Sequence, residues 1–284
     1  MDFQSFFTSA TGYSPFPWQM QLAETPALPD IIHIPTGLGK TAVIVVWLWK
    51  KWMAPPDIRR MTPRRLVYCL PMRTLVRQTE QSAAGWIHRL TERGLLPHNI
   101  PVTILMGGES TGLAGRTWDA APEQSQILIG TQDQLISRAL NRGYAMSRYR
   151  WPAHFALLNN DALWIMDEVQ LMGTALTTSA QLDGFRHRFT PFGPTHTIWM
   201  SATMNTESLH TIDHPPDRIT GTLSFNFADP PDDSPVSRRI TAPKPLVSST
   251  ITLNRESKPK YGALLTSILL HDARPAPGET TLVI

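Results

Sequence analysis

The sequence predicts an α/β protein built on a central, mostly parallel sheet flanked by helices. Three observations predict it. Apolar strand-like runs alternate with longer segments of helical composition. One such run, Asp30 to Ile34, leads into Pro35-Thr36-Gly37-Leu38-Gly39-Lys40-Thr41, and another, Leu163 to Met166, ends in Asp167-Glu168. Open parallel sheets gather their ligands outside the carboxyl ends of their strands, so both motifs belong on one edge of the molecule.

The expected strands are Ile31 to Ile34, Arg65 to Leu70, Val102 to Met106, Gln126 to Ile129, Leu163 to Met166 and Thr197 to Met200. Each leads into polar or glycine-bearing residues, as a ligand-facing loop requires. Residues 1–12 are set aside as an N-terminal extension, and 13–210 as the first domain. The apolar run Ala42 to Trp49 reads as a buried helix, too short to span a bilayer. Leu75 to Leu90 and Gln132 to Leu140 have helical composition, with Thr74 as a candidate cap. From 211 to 256 the chain is rich in Pro, Asp, Ser and Arg and reads as a linker or irregular extension. A helical stretch from about Lys258 to Leu270 and the apolar ending Thr280 to Ile284 suggest the beginning of another, incomplete domain at 257–284.

Composition excludes several classes. The single cysteine, Cys69, cannot form an internal disulfide and sits in strand-like surroundings, so core packing is its default role. The first residues, Met1-Asp2-Phe3-Gln4, lack the basic and apolar regions of a signal peptide, and a cytoplasmic, non-membrane protein is expected. A net charge of +3 does not announce a nucleic-acid partner. Arg138, Arg142, Arg148 and Arg150 are locally dense, which fits a basic patch or, at least as well, a solvated face.

The Gly-rich turn carries the chemistry. Backbone N–H groups, a helix dipole and Lys40 can all face phosphate there, which makes it a nucleotide site. The strict phosphate-loop pattern wants Gly where Ile34 stands, but Gly37-Leu38-Gly39-Lys40-Thr41 is intact. Asp167 can hold Mg²⁺ and Glu168 can orient water. A turn after an apolar strand often carries Asp-Glu for solvation alone, yet phosphoryl transfer needs phosphate donors, a metal and an oriented nucleophile together.

Six signals stand in one order: Phe16-Pro17-Trp18-Gln19, Ile34 to Thr41, Leu70 to Leu75, Gly130-Thr131-Gln132-Asp133-Gln134, Asp167-Glu168-Val169-Gln170 and Ser201-Ala202-Thr203. Over residues 13–205 the chain resembles the first RecA-like P-loop domain of a superfamily two helicase, and within that group the CRISPR-associated helicase/nuclease of type I systems, subtype I-G (formerly I-U). The resemblance implies ATP and Mg²⁺ as cofactors. Gln19 would read the adenine edge, Thr36, Gly37, Leu38, Gly39, Lys40 and Thr41 would hold the phosphates, and Thr41 with Asp167 would hold the metal. Lys40, Asp167 and Glu168 would be catalytic. Arg73, Thr74, Gly108, Thr131 and Gln134 would grip single-stranded DNA by its backbone, and Ser201 and Thr203 would couple nucleotide state to strand movement. A Cascade-type surveillance complex would be the partner.

Departures from that family limit the expectation. Such helicases complete hydrolysis with arginines of a second RecA-like domain, so this chain alone is expected to be weak or inactive. The family's nuclease needs a histidine and aspartate cluster; His271-Asp272 has no later histidine to complete one. A non-enzymatic nucleotide- or DNA-binding module, or a related RNA or restriction helicase, remains the alternative.

Overall fold

A computed structural model of the chain describes residues 1–97, 100–107, 118–144, 146–224, 237 and 260–267. The chain divides into two compact units, Met1–Arg239 and Ile240–Ile284. The first is built on seven strands, β1 (Ile31–His33), β2 (Arg65–Leu70), β3 (Val102–Leu105), β4 (Gln126–Thr131), β5 (Ala162–Asp167), β6 (Thr195–Ser201) and β7 (Thr222–Ser224). They form one sheet in the order β3-β4-β2-β5-β6-β1-β7, with every pairing parallel. Burial on both faces is why β2, β4 and β5 read as near-continuous apolar runs: every residue in them is buried.

Helices cover the sheet: α1 (Phe3–Thr11), α2 (Pro17–Glu24), α3 (Val43–Trp52), α4 (Pro56–Met61), α5 (Arg73–Glu92), α6 (Gln132–Ala139), α7 (Trp151–Asn159) and α8 (Thr174–Phe189). The second unit contains a short helix, Tyr261–Ser267. As expected, α3 is buried nearly all round, from Val43 through Leu48. Its Lys50 is buried as well, with its ammonium on the Thr25 carbonyl, and desolvation brings its pKa down to about 8. Cys69 lies fully buried in β2, where burial pushes its thiol pKa far up, as core packing requires.

Four features differ from the sequence reading. Residues 1–12 contain α1, whose Phe3, Phe6 and Phe7 are buried, with Phe6 5.5 Å from Trp49 between ring centroids. Within the span expected to be irregular, β7 adds a strand beside β1; Asp30 holds it in place by accepting from Thr220 N (2.7 Å) and Gly221 N (3.1 Å). Thr74 does not cap α5: the capping position is Met72, which has no side-chain bond to give. Of the four clustered arginines, Arg138 is buried, and Arg150 pairs with Asp119 at 2.6 Å; Arg142 and Arg148 are exposed.

Candidate nucleotide site and strand groove

The carboxyl ends of β1, β5 and β6 lie side by side, and their loops make the first site. After β1 the chain does not turn at once, because Ile34 continues the pairing, donating to Ser201 O at 3.1 Å, and is fully buried. This is why an apolar residue stands where the strict pattern has glycine. The turn itself falls at Gly37 and Gly39, both in the left-handed region at φ +85° and +70°. A β-carbon on Gly39 would sit 3.0 Å from Gln19 Nε2. Lys40 and Thr41 follow in a 3₁₀ turn that runs into α3.

Two side chains of α2 hold this loop from behind. Trp18 Nε1 donates to Leu38 O at 3.0 Å, and Gln19 Nε2 donates to Gly39 O at 3.0 Å. Gln19 Oε1 meanwhile accepts from Phe16 N at 2.8 Å. The Gln19 amide therefore ties the loop to α2, its nitrogen on Gly39 and its oxygen on the helix's own first turn. Leu38 contributes its backbone to the loop while its side chain is core, and Thr36 is exposed at the rim.

The acidic strand end meets the loop directly. Lys40 Nζ, buried, lies 3.0 Å from Glu168 Oε1, although it makes no hydrogen bond of good geometry among the described residues. Glu168 itself holds a left-handed backbone at φ +55°, an uncommon conformation for a residue with a β-carbon, which turns the chain sharply at the end of β5. Asp167 is buried beside it: its Oδ1 accepts from Glu168 N at 2.9 Å and its Oδ2 from the Tyr68 hydroxyl at 2.7 Å. Burial raises the Asp167 pKa to about 6. The Tyr68 bond and Lys40 oppose the rise, and the Glu168 carboxylate adds to it.

A chain of hydrogen bonds continues to β6. Glu168 Oε2 accepts from Gln170 Nε2 at 2.6 Å, and Gln170 Oε1 accepts from the buried Ser201 hydroxyl at 2.7 Å. Ser201 Oγ in turn accepts from Thr203 N at 3.0 Å, while the Thr203 side chain is exposed. Lys40, Glu168, Gln170, Ser201 and Thr203 are thus brought into one connected run. Sequence reasoning missed Tyr68, Trp18 and the bridging role of Gln170. Tyr68 bonds Asp167, and burial drives its hydroxyl pKa well above the usual range. The one available signal for Tyr68 was a polar-tipped ring in an otherwise apolar strand.

A second feature lies farther along the same edge. A groove of about 720 Å³ runs between the loops after β2, β3 and β4. Arg73 and Thr131, two of the expected strand-gripping residues, line it, and Arg73 donates to Gly107 O. Gln134 also lines it; like Thr131 it is buried, and its amide oxygen is engaged by Arg138. Thr74 is exposed on α5 and does not line the groove. Gly108 and His271-Asp272 lie outside the described residues. Among the described residues no group of three or more His, Cys, Asp or Glu is placed to hold a metal ion, and no helix is long and apolar enough to cross a membrane.

Comparison with known proteins agrees with this architecture. The DEAD/DEAH box helicase pattern matches residues 21–212, more than half of the chain. No protein of curated function is a significant match. Among solved structures, the DUF1998 helicase MrfA is similar with a TM-score of 0.50 and 14% identity, over 71% of this chain and 29% of that one. The helicase Lhr of Mycobacterium smegmatis gives 0.49 and 20%, over 73% and 25%. The yeast DEAD-box splicing factor Prp28 gives 0.46 and 20%, over 68% and 41%. The chain spans less than half the length of each. A seven-stranded parallel sheet, a glycine turn facing an acidic strand end and the sequence match together place this chain in the DEAD/DEAH box helicase family, as a superfamily two helicase ATP-binding domain.

Proposed function

We propose that this chain is the ATP-binding half of an ATP-dependent translocase that acts on single-stranded DNA in type I CRISPR interference, recruited by a Cascade-type surveillance complex. The observation that carries the hydrolytic part is the 3.0 Å approach of Lys40 to Glu168. It joins residues from two loops far apart in sequence into one site. The residues present fit a nucleotide and its metal. Lys40 offers a buried ammonium that makes no hydrogen bond among the described residues, the glycine turn offers backbone room for phosphate, and Asp167 with Thr41 offers oxygens suited to a hard cation.

Bound ATP supplies the phosphoryl group, and Mg²⁺ the charge that offsets it in transfer. With nucleotide bound, Lys40 would exchange Glu168 for a phosphate oxygen, which would free Glu168 Oε1 to orient or deprotonate the attacking water. Asp167 and Thr41 would hold the cation, and the Tyr68 hydroxyl fixes Asp167. Ser201, linked to Glu168 through Gln170, reports the change to the Thr203 loop. Arg73 and Thr131 meet the strand through its backbone, a grip that tolerates any sequence.

The DNA and CRISPR parts of the reading are supported by the Pro17-Trp18-Gln19, Gly130 to Gln134 and Asp167 to Gln170 motifs. ATP turnover by the purified chain, alone and with single-stranded DNA or RNA, is the test, with Lys40→Ala as the control. Weak turnover is expected, because the second domain's arginines are not in this chain, raised by DNA more than by RNA and absent in the variant. Turnover indifferent to either strand overturns the translocase reading, and preference for RNA overturns the DNA assignment. Recruitment is checked separately by binding to a surveillance complex loaded on its target.

A further inference from the structure

The geometry points to a base-stacking platform at Tyr144, at the end of the groove gripped by Arg73, so that the strand is held by one base as well as by its backbone. This rests on the proposal that the groove takes single-stranded DNA. Tyr144 and Leu140 both line the groove, 65% and 46% exposed. Single exposed aromatic residues are ordinary on protein surfaces, and Tyr149 and Tyr13 are examples outside this groove. Two things set Tyr144 apart.

The first is its footing. The turn after α6 passes through Asn141 in the left-handed region at φ 59°, and its next three N–H groups all return to Ser137. Arg142 N and Gly143 N donate to Ser137 O at 2.9 and 3.1 Å, and Tyr144 N donates to Ser137 Oγ at 3.1 Å. The backbone is thereby fixed while the ring stays exposed, so stacking costs little ordering. The second is its distance from the grip. Ser137, on which the Tyr144 backbone rests, lies six residues beyond Thr131 along α6, a rise of about 9 Å. A strand whose phosphates sit on Arg73 therefore carries a base to the ring within a few nucleotides. Every base has a face to offer, so the contact adds affinity without sequence preference.

The test is binding of the full chain to a single-stranded oligothymidylate carrying 2-aminopurine at successive positions, beside an abasic strand of the same length. Tyr144→Ala is expected to weaken binding roughly 5- to 100-fold. It should also abolish fluorescence quenching at one position, leave abasic-strand binding unchanged, and be rescued by Tyr144→Phe. Arg73→Ala should weaken both strands alike. If Arg73→Ala weakens binding while Tyr144→Ala changes neither affinity nor quenching, the platform is overturned and the groove reading stands. If neither variant matters, or the chain binds no strand, the groove reading falls and the platform with it.

Discussion

At the scale of residues, the acidic strand end shows how burial and function conflict. Burial, the largest cause, lifts the Asp167 pKa from 3.8 to about 6. The folded chain then holds that proton more tightly than the unfolded chain. Stability from the protonated form is present below about pH 4 and is lost as pH rises to about 6. The loss is on the order of 3 kcal/mol. Asp167→Asn should therefore melt above the wild type at pH 7.5, with the gap shrinking toward pH 4, while ATP turnover disappears. A gap independent of pH in thermal melts would mean that the fold does not raise the pKa of this carboxyl. Tyr68→Phe deletes one hydroxyl that donates to Asp167 at 2.7 Å. A hydrogen bond to a charged group is worth about 1.5–3 kcal/mol, so a loss of roughly 10-fold or more in turnover at limiting Mg²⁺ is expected, with the fold retained. Steady-state kinetics across a Mg²⁺ titration check it, and unchanged kinetics would leave Tyr68 with a packing role only.

At the scale of elements, α1 and the β3-β4 pair carry the clearest consequences. Phe6 is fully buried against Trp49 of α3, so Phe6→Ala is expected to cost about 3–5 kcal/mol of stability. Denaturant unfolding measures it; a cost under about 1 kcal/mol would show that α1 is not part of the cooperative body. Gly130 lies opposite Leu105 in the parallel register, and a β-carbon there would run into the Leu105 carbonyl oxygen. That contact is with backbone, which cannot turn aside as a side chain would. Helix α2 plays a different part, because Trp18 and Gln19 are both bonded to the glycine turn. It carries the loop's shape as much as any nucleotide contact.

At the scale of the whole molecule, a net charge of +3 is too small to draw a polyanion by itself, so strand affinity has to come from local charge in the groove. The dependence of log affinity on log salt should fall by about 0.7 in Arg73→Ala, the share of one phosphate contact on a single strand. Binding isotherms at several salt concentrations measure that slope, and an unchanged slope would place Arg73 off the strand. The sequence by itself determined every strand of the sheet except β7, the parallel α/β class, the glycine turn and the acidic strand end. Those are local signals: apolar runs bounded by turns, and residue types whose chemistry is readable in short windows. It did not determine β7, a three-residue strand with an ordinary composition, which exists because Asp30 holds Thr220 and Gly221 beside β1. Nor did it determine the Tyr68 bond to Asp167, or the link from Glu168 through Gln170 to Ser201. Only the tertiary structure decided these, because each joins residues of different strands or loops, and their meeting depends on strand order and register rather than on any pattern along the chain.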